Sequence, residues 1–168
     1  MEHENQEFVR STNLLKSFFS VHKNLGRLFQ KTAAENGLTV PQYSVLMFIA
    51  PFKEITQKNL GEKVHMPKST LSQAVDGLVK AGLIHRQQVK GNRREMQLSL
   101  SKKGEDFIKT VPRQEGSIHQ VFKSACDKLS EKQYEELLQA HLQIKTSLES
   151  YTTTEQGECT KEQGECTK

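Results

Sequence analysis

The sequence predicts a mainly α-helical chain carrying one small β-hairpin, and three observations predict it. Apolar residues recur at helical spacing near both ends of the 168 residues, two short helical segments meet at a turn in the middle, and the apolar period falls to two between Leu83 and Ser101. With 35% hydrophobic and 26% charged residues, the composition supports one compact core and is thin for two.

Helical organisation begins with Leu14, Phe18, Val21, Leu25 and Leu28, spaced four and three apart, with Leu15, Phe19, His22 and Phe29 widening the apolar face. Asn36-Gly37 reads as a turn, and a second helix is expected from about Pro41 to Ala50, with Val45, Leu46 and Ile49 inward and Pro51 as its stop. Thr56 can cap a short third helix carrying Leu60 and Val64, with Ile55 and Leu60 forming a hydrophobic staple. Pro67 suits the first turn of a fourth helix, in which Leu71, Val75 and Leu78 repeat until Gly82 ends it. The alternating runs Leu83–Val89 and Glu95–Ser101 then make a hairpin. Its tip, Lys90-Gly91-Asn92-Arg93-Arg94, groups three cations, and Gly91-Asn92 can take positive φ. From Ser101 a long helix runs toward Leu129 with a kink or break at Pro112–Gly116. A last helix follows the capping box Ser130-x-x-Gln133 and carries Tyr134, Leu137, His141, Ile144, Leu148 and Tyr151 on one stripe. One small core can scarcely absorb the stripes at both chain ends, so association with a second copy is expected.

Charge separates the middle of the chain from its ends. Residues 1–9 hold three acids, residues 152–168 hold four acids and two lysines, and Lys53–Lys103 holds eleven Lys/Arg against four Asp/Glu, a net of +7. Such a concentration favours a polyanionic partner, although a solvated basic face would look the same from charge alone. The apolar run Thr39–Phe52 is broken by Pro41, Gln42 and Ser44 and falls short of the roughly 20 residues of a membrane span. The acidic start has no signal-peptide pattern, so a cytoplasmic protein is expected. Cys126, Cys159 and Cys166 are too few for a disulfide-stapled fold and are expected as reduced thiols. The last two sit in a polar tandem heptapeptide, Glu155–Lys161 repeated as Glu162–Lys168, whose C-x6-C spacing without histidine matches no usual zinc site. The expected organisation is a flexible acidic segment 1–9, one domain over 10–151 and a disordered tail over 152–168. Within the domain the hairpin-bearing part covers about 38–101, and helices for dimerisation cover about 10–34 and 102–151.

Helix, turn, helix and two-stranded hairpin in that order make a winged helix-turn-helix. Placing Gly61 at the fifth position of the motif, where a small residue lets the helices approach, puts Leu60, Val64, Met66 and Leu71 at the fourth, eighth, tenth and fifteenth, and Ala74 at the eighteenth. His65 stands at the ninth, where glycine is frequent, which predicts a looser turn. The outward residues of the second helix are then Lys68, Ser69, Thr70, Ser72 and Gln73. Gln73 can pair bidentately with adenine, and Lys68 can reach guanine or phosphate. Ser69 and Thr70 can instead serve as helix caps. Lys90, Arg93 and Arg94 at the tip suit a minor groove or its flanking phosphates, or a solvated wing.

The motifs Leu38-Thr39-x-x-Gln42-x-x-Val45-Leu46, Thr56-x-x-x-Leu60-Gly61-Glu62 and Lys68-Ser69-Thr70-Leu71-Ser72 occur in order. They are followed by Val75-Asp76-x-Leu78, Ala81-Gly82-Leu83-Ile84-x-Arg86, Asn92-Arg93-Arg94 and Leu98-Ser99-Leu100-Ser101-x-x-Gly104. Together they resemble the multiple-antibiotic-resistance regulator (MarR) family of bacterial transcription factors over about residues 10–151. The resemblance implies a homodimer with interlocked terminal helices, binding double-stranded DNA at a pseudo-palindromic operator, with no cofactor. It also implies a small-molecule effector between the dimer region and the winged helix. Phe18, His22, Tyr43 and Phe52 can line such a cleft or serve as ordinary packing. Two departures stand out: Asn92 replaces the aspartate that usually positions the wing arginine, here Arg94, and Gln73 stands where many relatives carry arginine. Peroxide-sensing relatives use a cysteine in the first helix, whereas Cys126 here sits on an apolar face as an inert thiol. His22, Glu105 and His119 lack the tight spacing of a metal set. An enzyme is disfavoured by the lack of a phosphate loop or nucleophile elbow. The competing reading is a winged helix that contacts proteins, as an adaptor or antirepressor, which an apolar recognition face would mark.

Overall fold

Helix ends account for much of the architecture. The computed structural model describes the backbone of residues 2–89 and 91–158 and the side chains of residues 6–89, 91–92 and 95–151. Its elements are α1 (Glu2–Glu35), α2 (Val40–Ile49), β1 (Ile55–Thr56), α3 (Gln57–Val64), α4 (Lys68–Lys80), β2 (Ile84–Val89), β3 (Asn92–Leu100), α5 (Lys102–Thr110), α6 (Ile118–Cys126) and α7 (Glu131–Glu158). The chain divides into two compact units, Met1–Phe122 and Lys123–Lys168.

In the first unit, α1 and α4 end the same way. Gly37 (φ 68°) and Gly82 (φ 70°) supply the left-handed residue just past each helix. The next amide then reaches back, Leu38 N–H to the Ala33 carbonyl at 2.9 Å and Leu83 N–H to the Leu78 carbonyl at 3.0 Å. These bonds satisfy carbonyls the helix leaves open. Helix starts use hydroxyls. Thr39 and Gln42 form a reciprocal capping box on α2, with Thr39 N–H donating to Gln42 Oε1 at 2.9 Å and Gln42 N–H to Thr39 Oγ1 at 3.4 Å. Thr56 caps α3 by accepting from Asn59 N–H at 3.2 Å, as the sequence predicts.

The main core joins Val45, Leu46 and Ile49 of α2, Leu60 of α3 and Leu71, Ala74, Val75 and Leu78 of α4 to Ile55, Ile84 and Leu98 of the sheet. Each fully buried Leu, Ile or Val adds about 1.5–3 kcal/mol of burial free energy. The sheet is antiparallel in the order β1-β3-β2, with Ile55 opposite Leu98 and Ile84 opposite Leu100. The sequence predicts only the two hairpin strands. β1 escapes it because two residues cannot display a period, and Thr56 serves both as strand and as helix cap.

The expected break near Pro112 is complete: α5 stops at Thr110, a 3-10 turn covers Val111–Arg113, and α6 begins afresh at Ile118. Proline removes the amide a continuing helix needs. The new start is held by Thr32 of α1, whose Oγ1 accepts from Ile118 N–H at 2.9 Å, and by a reciprocal amide pair between Asn36 and Gln114 at 2.9 and 3.0 Å.

Two boundaries differ from expectation. α1 begins at Glu2, through the segment expected to be flexible, because each added residue extends an existing nucleus at small cost. In the second unit, α7 opens on the expected Ser130–Gln133 capping box, with bonds of 2.9 and 3.3 Å, and continues to Glu158, past the expected limit at 151. Residues 159–168, including Cys159, Cys166 and the second heptapeptide, lie outside the described residues.

Candidate nucleic-acid interface

α3 and α4 pack as the motif numbering requires. A Cβ on Gly61 would lie 3.1 Å from Leu71 Cδ2, so the small residue permits the close approach of the two helices. Leu60, Leu71 and Ala74 are buried, and Val64 and Met66 pack against the same core. The turn is not the looser variant that His65 predicts. His65 itself takes the left-handed conformation, φ 48° and ψ 44°, so the glycine geometry is kept by an L-residue that bears the strain.

Pro67 lies one residue before α4 rather than inside it, and no side chain caps that helix. The capping alternative for Ser69 and Thr70 therefore fails, and neither hydroxyl is committed to the helix terminus. Leu71, Ala74, Val75 and Leu78 occupy the buried face of α4. Lys68, Ser69 and Gln73 are exposed, while Thr70 and Ser72 are half-buried at the margins. Asp76 and Lys80 extend the exposed stripe, at steps of three and four from Gln73. The polar tips on this face and its margins are three hydroxyls, one amide, two ammonium groups and one carboxylate. That mixture can hydrogen-bond base edges and phosphates.

The wing strands reach further toward the tip than the sequence predicts. Gln88 pairs with Met96 and Val89 with Asn92, a register shift that leaves Arg93–Glu95 as a bulge in β3, and Gly91 takes positive φ, 84°. Asn92 does not share that conformation, and Arg93 and Arg94 do not stand on a loop; all three belong to the backbone of β3. Lys90 and the side chains of Arg93 and Arg94 lie outside the described residues. Asn92, where relatives carry aspartate, directs its amide toward Glu95 Oε2 at 3.3 Å.

The sequence profile of the MarR family matches residues 36–95, the segment from the α1–α2 turn to the first half of β3. The HTH-type transcriptional regulator SarZ of Staphylococcus epidermidis is 30% identical over 97 residues, 58% of this chain and 66% of SarZ. The multiple antibiotic-resistance repressor MarR of Listeria monocytogenes, 26% identical, superimposes with a TM-score of 0.55 over 83% of this chain and 94% of its own. Residues 36–95 carry the MarR family's sequence profile, and the chain is similar to MarR-family regulators beyond that segment. A mutant MarR from E. coli complexed with operator DNA, 18% identical, shares the fold with a TM-score of 0.66 over 79% of this chain and 93% of that one. The match to SarZ spans just under two thirds of that regulator's length.

In this MarR-like chain the four residues expected near an effector occupy different settings. Tyr43 is fully buried in the first turn of α2, its ring 4.8 Å from that of Phe29 and its hydroxyl 3.1 Å from His119 Nε2. Phe52 lies beyond the other end of α2, 37% exposed, with Lys63 Nζ of α3 5.3 Å from its ring centre. Phe18 is half-buried and His22 exposed, both on α1. The family motifs also contain a pair to which the sequence attaches no role: Arg86 Nη1 of β2 donates to Asp76 Oδ1 of α4 at 2.6 Å. Strand alternation, which puts Arg86 on the face of Ile84 toward α4, is the available signal. His119 offers none, because its contact with Tyr43 spans 76 residues.

Proposed function

We propose that this chain is a sequence-specific DNA-binding regulator of transcription, a homodimeric repressor released from its operator by a small-molecule or stress signal. The observation that carries the reading is the uncapped α4, which buries Leu71, Ala74, Val75 and Leu78 and turns Lys68, Ser69 and Gln73 to solvent. An adaptor that docks protein would present apolar residues there. Gln73 reads a base, Lys68 and the half-buried Thr70 and Ser72 help fix register, and Lys90, Arg93 and Arg94 supply cations to the DNA flank. Support comes from SarZ, a transcriptional regulator, and from the E. coli MarR fold seen with operator DNA. Dimerisation is supported by the exposed apolar side chains of α1 and α7. The effector is assigned to the vicinity of Phe18, His22, Tyr43 and Phe52. The protein acts in the cytoplasm, and no described helix is long and apolar enough to cross a membrane.

The test is a salt titration of binding to a selected duplex and its scrambled counterpart. A dimer should select a pseudo-palindrome with half-sites roughly 10 bp apart. Gln73→Ala should cost about 1–3 kcal/mol on the selected duplex with little change on the scrambled one. Arg94→Ala should weaken both duplexes and lower the salt slope by about one unit for each phosphate it no longer neutralises. Equal affinity of the wild-type protein for the two duplexes at every salt concentration would overturn the reading.

A further inference from the structure

A carboxylate on a DNA-reading face is an electrostatic liability, because it faces a phosphate-lined groove. Asp76 occupies such a position: it is exposed, three residues after Gln73 and seven after Ser69 on the same stripe of α4. Its charge is met by Arg86, whose Nη1 lies 2.6 Å from Asp76 Oδ1. The two partners sit on different elements, the recognition helix and the first strand of the wing. Their side chains are unequally exposed, 62% for Asp76 and 29% for Arg86. The guanidinium is partly withdrawn from solvent, with its Nε buried and without a hydrogen bond, while its Nη1 takes the carboxylate. A partly buried cation holding an exposed carboxylate through a short charge-assisted bond ties the helix to the strand at that point.

From this geometry we infer that Asp76 and Arg86 are positioning residues that lock the recognition helix to the wing, so that operator preference, rather than general DNA affinity, depends on the pair. The inference rests on the DNA-binding reading given above. Neither residue needs to touch a base. The pair sets the angle at which Gln73 and the wing cations meet one duplex at once, and it cancels a negative charge that phosphates would otherwise repel. Along the exposed face of α4 the other ionisable groups are Lys68 and Lys80, both cationic, so Asp76 is the sole acid on that helix face and Arg86 its partner.

The experiment measures affinity for the selected and scrambled duplexes with the full-length chain, together with thermal unfolding. Asp76→Asn keeps the shape of an exposed side chain and should fold with an unchanged midpoint. It should lower the ratio of selected to scrambled affinity about tenfold while leaving scrambled binding equal or slightly tighter, as one negative charge is gone. Arg86→Gln should produce the same loss of ratio, and the double variant should lose no more than either single one, because the two act as a unit. Asp76→Glu, which restores the carboxylate, should recover most of the ratio. A merely structural role would instead lower the midpoint and weaken both duplexes in parallel, and that result overturns the inference. So do additive losses in the double variant. A third overturning result is a change of preference at one base position with Asp76→Asn alone, which would make Asp76 a base reader. If the wild-type protein shows no preference, the regulator reading itself fails; if it does and both single variants keep it, only the clamp fails.

Discussion

His119 and Tyr43 form a partly buried polar contact, with His119 Nε2 3.1 Å from the Tyr43 hydroxyl. Burial holds the His119 pKa below its ordinary value of 6.5 and pushes the Tyr43 hydroxyl above 10.0. As pH falls, the unfolded chain therefore takes up the histidine proton before the folded one does. The associated stability is complete above about pH 6.5 and is lost progressively as pH falls toward the lower folded value. The thermal midpoint should decline on acidification, and His119→Gln, whose amide can still meet the Tyr43 hydroxyl, should flatten that decline. Parallel curves for the two proteins would refute the assignment. Backbone strain supplies a second residue-scale prediction: His65→Gly should raise stability by about 0.5–1 kcal/mol in chemical denaturation, because left-handed geometry is costly only when a Cβ is present. Gly104 behaves in the opposite sense. A Cβ there would collide with the Leu83 carbonyl, a backbone atom that cannot swing aside, so Gly104→Ala should cost about 1–3 kcal/mol.

Between elements, α2 comes close to α4 where Gln42 lies over Gly77, and a Cβ on that glycine would meet the Gln42 amide. Here the obstacle is the end of a flexible side chain. Gly77→Ala gains about 1 kcal/mol of helix propensity and loses about the same if Gln42 leaves its capping bond to Thr39 N–H. The variant should therefore unfold within about 1 kcal/mol of the wild-type protein, in contrast to Gly104→Ala; a loss as large as that of Gly104→Ala would show that Gln42 is rigidly held. Legibility in the sequence is also decided element by element. α4 is legible because Leu71, Val75 and Leu78 repeat over several turns, and its outward residues follow from that phase alone. Helix ends are legible where one residue type signals them, as at Gly82 or Thr56. β1 is not, since pairing with β3 is decided by residues some forty positions away. The extent of β3 is hidden for a similar reason: Arg93 and Arg94 look like loop residues, although β3 begins at Asn92 and carries them in a bulge that the register skips. The Asp76–Arg86 pair needs both the helix phase and the strand phase before the two side chains can be seen to meet.

At the scale of the molecule, the unmet surface is apolar. On α1, Phe8, Val9, Leu14, Leu15, Phe19 and Val21 are 49–70% exposed, and on α7, Tyr134, Leu137, Leu138, Leu142, Leu148 and Tyr151 are 45–70% exposed. Single exposed apolar residues are ordinary, but two helices each carrying six of them leave a face that water opposes. A second copy of the chain would cover such faces symmetrically, because whatever one copy lacks the other offers. The protein should therefore sediment as a dimer at micromolar concentration. Leu142→Glu should dissociate it, since a carboxylate buried without a partner costs several kcal/mol, whereas Lys132→Gln on the charged side of α7, which removes only the exposed Lys132–Glu136 pair, should not. Operator affinity should fall with the dimer, because two linked recognition helices bind far more tightly than one. A well-folded wild-type monomer at that concentration would remove the dimer from the proposed function. A Leu142→Glu protein that remains dimeric would instead exclude α7 and leave α1 as the interface, to be probed in turn by Phe19→Glu.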